Sequence, residues 1–219
     1  MFELSRWQEL FRSWSVFAEG FGVTISVSIL SLFFMLLISL AVGLMRCSGN
    51  RALQACLLAY INFFQNTPLV IQILFMYNVL PRVGVMLSPF MCGLLGLSLY
   101  TGAFGASVVE AAIKAVPKGQ KEAAYSQGMN YAQTMFIIVL PQALRIALPP
   151  LANQSVNMIK NSSVLALVAG GDLMYRADSW ASDNLYYTQS FIFTGLLYLA
   201  LCLPVSKWAE RLEKRAAHI

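Results

Sequence analysis

Charge is what this chain has least of. Only 11% of its 219 residues are Asp, Glu, Lys or Arg, and 58% are hydrophobic. Soluble domains carry about 25% charged residues, so the balance excludes an ordinary water-soluble domain and makes the chain an integral membrane protein. Histidine is almost missing, the single one being His218 in the tail. The four cysteines, Cys47, Cys56, Cys92 and Cys202, form no C-x-x-C pair and read as small hydrophobes, not as a disulfide framework or metal site. A metal centre and a His-dependent hydrolase are set aside on those grounds. No P-loop occurs, so ATP binding by this chain in the usual way is not expected. There is no Gly/Ser linker, no internal repeat and no soluble domain. The opening M-F-E-L-S-R-W-Q-E-L lacks the basic start and apolar core of a secretory signal. A net charge of +5 in such a chain bears on orientation and does not point to nucleic acid.

The charge-free runs mark the crossings. Gly20 to Met45, Ala52 to Pro81 and Val83 to Val109 each exceed the roughly 20 residues that span a bilayer as a helix. A fourth run covers about Pro150 to Ala169, broken at its start by Pro149-Pro150, and a fifth about Tyr187 to Ser206. The expectation is an all-α integral membrane fold with five transmembrane helices. Residues 1–18 place Leu4, Trp7, Leu10, Phe11, Trp14 and Phe17 at helical spacing among charges, which predicts an interfacial amphipathic helix. Residues 19–207 form the membrane domain, and 208–219 a cytoplasmic tail. Asp172 to Asn184 reads as a second interfacial segment. Ten Lys and Arg fall in one set of loops, including Arg46, Lys114, Lys118, Lys121 and Lys207. Four, namely Arg6, Arg12, Arg82 and Arg176, fall in the other. The positive-inside rule then puts the N-terminus outside and the C-terminus in the cytoplasm.

The most polar long interval between spans, Pro117 to Pro141, is not written as a flexible loop. Pro117 can open a helix, Lys118 to Gln127 contains good helix formers, and Gly128 sits where a left-handed cap would end it. Asn130 and Gln133 have capping-box spacing for a second helix. The prediction is a short helix, a sharp turn and a helix that re-enters the membrane. Small residues at Ala123, Ala124 and Gly128 would let another surface approach, although an ordinary connection between spans fits the same residues.

Glu122-Ala123-Ala124, Gly128 four residues later, and Val139-Leu140-Pro141 resemble the EAA loop of ABC-importer permeases. The flanking Pro117-Lys118-Gly119-Gln120 and Gln142-Ala143-Leu144-Arg145 are similar to its polar amino acid branch. The resemblance covers about residues 18–210. It implies the type I importer permease fold and a bacterial inner-membrane location. It implies a pair of permease subunits, two ATPase subunits that carry ATP and Mg, and an extracytoplasmic binding protein, all within membrane lipid; no cofactor is expected on this chain. By the same resemblance the stretch is a coupling helix that docks on the ATPase. Lys118, Glu122, Ala123, Ala124 and Gly128 are its contact, Glu122 as polar anchor and Gly128 as turn.

Lys160 lies near the middle of the fourth run, where a charge costs about 2.5–3.5 kcal/mol on insertion scales and usually faces a cavity or bundle interior. No Asp or Glu falls at mid-depth. Its partner is then a substrate carboxylate or local groups such as carbonyls, Asn157, Asn161 and Ser162. We expect Asn157, Lys160, Asn161, Ser162 and Ser163 to line a translocation path, with Thr67 and Gln72 beside the Pro68 break. The segment Asn66-Thr67-Pro68-Leu69 with Gln72 also resembles a family motif. Relatives often carry Asp where this chain has Asn161, which argues for glutamine, glutamate or aspartate as cargo over a cationic amino acid. Relatives also carry Glu and Arg where this chain has Ser107 and Glu110, so roles at those positions do not transfer. Gly93, Gly96, Gly102 and Gly105 in the third run read as close helix packing. A permease for cystine, an opine or another small solute remains open, as does a membrane enzyme or channel without ATPase partners.

Overall fold

The computed structural model describes residues 4–216, and all of its regular structure is helical. Helix α1, Leu4–Arg12, is followed at once by α2, Trp14–Arg46. The break therefore falls at Ser13, and the expected boundary at residue 18 lies inside α2. After a turn, α3 runs over Arg51–Asn66 and α4 over Leu69–Asn78. Helix α5 is Pro89–Ala115, α6 is Lys118–Ser126 and α7 is the single turn Tyr131–Gln133. The chain continues through a π-helical stretch, Thr134–Val139, into α8, Leu140–Asn161, and tightens to 3-10 geometry over Ser162–Val168. Helices α9, Leu173–Asn184, and α10, Tyr187–Ala216, complete it. The expected tail boundary at residue 208 lies within α10, and residues 1–3 and 217–219 fall outside the described part.

Among the described residues four helical stretches are long and apolar enough to cross a bilayer: Trp14–Arg46, Pro89–Ala115, Tyr131–Val168 and Tyr187–Lys214. A fifth crossing exists only if α3 and α4 count together, because they meet at an angle of 99°. The second run is thus bent sharply at the break expected from Pro68. The cause is local. Pro68 has no amide donor for the Phe64 carbonyl, and Thr67 adopts the extended backbone (φ −116°, ψ 140°) favoured before proline. The Gln72 amide replaces the lost donor, reaching Phe64 O at 3.3 Å, Thr67 O at 3.2 Å and Thr67 Oγ1 at 2.8 Å.

The expected break at Pro149-Pro150 is also corrected. The helix continues through both prolines, and its irregularities lie instead at the π stretch before Pro141 and the 3-10 stretch after Asn161. Gln142, just past the first of these, donates back to Ile138 O within it at 2.9 Å. The third span begins later than the hydropathy run suggests. Leu80–Val83 forms a 3-10 turn closed by Gly84 at φ 87°, and Ser88 caps Pro89 as the first residue of α5.

Helix α5 is the central post, in contact with α2, α3, α4 and α8. Its glycines make that closeness possible. A Cβ on Gly93 would meet the Leu165 side chain at 2.5 Å, and one on Gly102 would meet Ile38 at 2.8 Å. The main core joins Met35, Ile73, Leu97, Ile113, Met158 and Leu165. A second core at the other end joins Leu10, Phe17, Leu173, Ala177 and Trp180, with Phe17 against Phe193 at a 5.2 Å ring separation. In the segment Asp172 to Asn184, expected to be interfacial, Leu173 and Trp180 are buried within the chain while Met174 and Tyr175 stay partly exposed.

Candidate functional site

The stretch from Pro117 to Pro141 folds as its residue types dictate. Val116 is extended before Pro117 (φ −63°, ψ 128°), which ends α5. At the end of α6, Gly128 takes φ 81°. Met129 N donates to Ala124 O at 3.1 Å and Gly128 N to Tyr125 O at 2.9 Å. Together these two bonds form a Schellman cap. Asn130 and Gln133 then exchange side chain-to-backbone bonds of 2.9 Å in both directions, a complete capping box. Lys118, Glu122, Ala123 and Gly128 are exposed on the resulting turn. Ala124 is not: it is buried within the chain, so the small residue expected on the outer face supports α6 from inside.

Behind this turn lies an ion cluster. Arg46 donates to both Glu110 carboxylate oxygens, at 2.9 Å and 3.1 Å, and to Gln54 O at 2.8 Å. Lys114 Nζ reaches Glu110 at 2.6 Å. The charge at Glu110, which has no counterpart in the resembling pattern, is therefore fully engaged by its own chain. Ser107, at the other departing position, accepts from Gln65 Nε2 at 2.9 Å.

On α8 the expected path residues separate into an outward and an inward set. Asn157 and Lys160 are exposed and Asn161 is half-buried. With Gln154, Tyr100 and Phe104 they line a concavity of about 390 Å³. Lys160 also borders a second concavity with Ser163, Thr194 and Tyr198. Among the described residues Lys160 makes no ion pair. Ser162 points inward: it is fully buried and donates to Ile159 O at 2.7 Å. Thr67 and Gln72 line a separate concavity of about 630 Å³, otherwise formed by apolar groups such as Phe63, Ile71 and Phe75. Gln72 is 6% exposed, and its amide nitrogen is engaged in bridging the break at Pro68. The structure therefore brings Asn157, Lys160 and Asn161 together and leaves Thr67 and Gln72 apart from them. Gln154 and Tyr100 are additional lining residues. The i, i+3, i+6 spacing of Gln154, Asn157 and Lys160 on one helix face was the available signal for Gln154; nothing local marks Tyr100.

The glycine-capped turn, the bundle around α5 and the comparisons with known proteins agree. Residues 35–218 match the family described as binding-protein-dependent transport system inner membrane component. A probable glutamine ABC transporter permease protein, GlnM, of Bacillus subtilis is 42% identical over 206 residues, covering 94% of this chain and 95% of that one. The L-cystine transport system permease protein TcyB of the same organism is 32% identical over 203 residues, covering 92% and 87%. The crystal structure of an amino acid ABC transporter superposes with a TM-score of 0.88 at 30% identity, covering 95% of this chain and 98% of that one. The chain belongs to the binding-protein-dependent transport system inner membrane component family, as a multi-pass inner-membrane permease subunit of an amino acid ABC transporter whose ATPase is a separate chain.

Proposed function

We propose that this subunit forms the translocation path for a polar, uncharged-side-chain amino acid, glutamine first, with glutamate or aspartate as nearest competitors. The carrying observation is the exposed face of α8, where Lys160 stands without a carboxylate partner among the described residues. Asn157, Asn161 and Gln154 lie beside it in the same concavity. An ammonium matches the α-carboxylate of an amino acid, and amides match a side-chain amide by donating and accepting together. No Asp or Glu borders either concavity at Lys160, so a cationic side chain finds no counter-charge there. The name of the 42%-identical relative supports glutamine, and that of the cystine relative supplies a further cargo to test.

The energy source is the partner ATPase. Lys118, Glu122, Ala123 and Gly128 form its docking turn, with Ala124 as internal support. A second permease copy or paralogue completes the path, and a binding protein delivers cargo on the side opposite the turn. The turn faces the cytoplasm and the N-terminus lies outside. ATP-driven closure of the ATPases moves the docking turns and switches the bundle between two openings, as alternating access requires. The test is ATP-driven uptake of labelled glutamine by the reconstituted importer in the presence of excess unlabelled amino acids. Glutamine should compete fully, glutamate weakly, arginine and cystine hardly at all. Displacement by arginine or cystine at the level of glutamine would sink the cargo assignment. Parent-level uptake by a normally assembled Lys160→Met importer would sink the role given to Lys160.

A further inference from the structure

We propose that the cavity behind the coupling turn is an anion site that takes a phosphate group. It holds about 320 Å³, lies where the ends of α2 and α5 meet α6 and the π stretch, and is lined by Arg46, Lys114, Lys121, Glu110, Tyr125 and Thr134, among others. Three cations thus converge on a space containing one carboxylate. Glu110 is already shared between Arg46 and Lys114, so it offsets one positive charge and leaves two. Lys121 has no carboxylate partner among the described residues.

The hydroxyl of Thr134 is an independent sign. Thr134 is 2% exposed, borders the cavity, and its Oγ1 has no hydrogen-bond partner. A buried hydroxyl left unpaired is costly, and the missing partner belongs in the cavity it borders. A cation is excluded by the surrounding charge. A phosphate monoester or diester fits: its oxygens accept from ammonium and hydroxyl donors at once. Arg46 contributes field more than contact, because its donors are engaged by Glu110 and Gln54. Lys114, Lys121 and Thr134 are the direct ligands, and Tyr125, half-exposed at the rim, flanks the entrance. A bound phosphate therefore ties α6 to the end of α5 and to the π stretch. The binding claim stands independently of the cargo and path readings above.

Two sources supply this chemistry: the headgroup of an anionic phospholipid and soluble phosphate. The test uses the intact importer in discs of phosphatidylcholine alone, in discs that also contain phosphatidylglycerol, and in phosphatidylcholine discs titrated with inorganic phosphate. Thermal unfolding is read throughout, and native mass spectrometry reads retained lipid. A rise in melting temperature with retained phosphatidylglycerol identifies a headgroup site; a rise with phosphate alone identifies a soluble-anion site. In either case Lys121→Gln and Thr134→Val should each weaken the response, Lys121→Gln by about tenfold, the loss of one charge-assisted hydrogen bond. Neither substitution touches the Arg46–Glu110 pair, and if one fails to assemble the other decides. The proposal is overturned if neither additive shifts unfolding, or if an assembled variant responds like the parent.

Discussion

At the basic end of the bundle, Arg46 and Lys114 close on Glu110 with contacts of 2.9 Å, 3.1 Å and 2.6 Å, and the neighbouring turn is capped at both sides. On α8, by contrast, Lys160 is exposed beside three amides and pairs with no carboxylate among the described residues. Both regions place charge in a largely apolar chain, but only one satisfies it internally. An engaged charge contributes to the architecture, and removing one member strands the others. A charge left open on a helix face is available to cargo, and its removal should leave the architecture alone. The two regions thus predict opposite separations of stability from transport.

The comparison breaks first, and hardest, at Glu110. Glu110→Ala removes the counter-charge that the mostly buried Arg46 shares with the largely exposed Lys114. It should destabilise the purified chain by about 3 kcal/mol, the low end of the cost of stripping one partner from a buried pair, measured as a lowered unfolding temperature in detergent. Lys160→Met should do the reverse. Unfolding and assembly stay at parent values, while uptake falls about tenfold or more, the loss of a charge-assisted contact to cargo. A large stability loss at Lys160 with uptake retained per assembled importer would reverse the contrast.

Smaller effects sharpen it. Gln72→Leu leaves the Phe64 carbonyl without its substitute donor and should cost about 1–3 kcal/mol, with uptake falling only in step with folded protein. Gly128→Val forces a β-branched residue to φ 81°, costing about 1–2 kcal/mol. Because that strain sits on the turn proposed to dock the ATPase, ATPase co-purification should drop more than thermal stability does.

The smallest effect is at Asp172, the N-cap of α9, which is 0% exposed and outside the long spans. Burial pushes its carboxyl up from 3.8 to about 6, against the lowering effect of backbone donors such as Met174 N. The folded state then holds this proton more tightly than the unfolded state. Its contribution to stability is greatest below about pH 4 and is lost as pH rises toward 6. Asp172→Asn keeps a capping side chain and should flatten that part of the profile, which paired unfolding curves at pH 5 and pH 7.5 would reveal.

How much of this was readable in advance follows from the range of each interaction. The geometry of the glycine-capped turn was legible almost residue by residue, because proline, glycine and capping-box chemistry act over four or five positions. The exposed Lys160 was legible as a misplaced charge. The inward turns of Ala124 and Ser162 were not, since facing depends on what packs behind a helix. Thr67 and Gln72 were expected to face the path because they flank the Pro68 break. Gln72 also bridges that break, and the two residues line a concavity of their own beside the 99° bend. The prolines at 149 and 150 misled for a related reason. Proline removes a donor at a known position, but whether the helix breaks depends on whether neighbouring contacts hold it straight.

By itself the sequence determined the membrane-spanning class, the approximate crossings and the capped turn at Gly128, because hydropathy and capping are local free energies that need no tertiary partner. Tertiary structure alone decided that Arg46 meets the i,i+4 pair of Glu110 and Lys114, that α9 inserts Leu173 and Trp180 into a second core, and that Tyr100 joins Asn157 and Lys160 around one concavity. Those groups come from helices separated by dozens of residues. Around α5 the neighbours close in at Gly93 and Gly102, where a Cβ would meet Leu165 and Ile38, a property of the packed bundle and not of any one stretch.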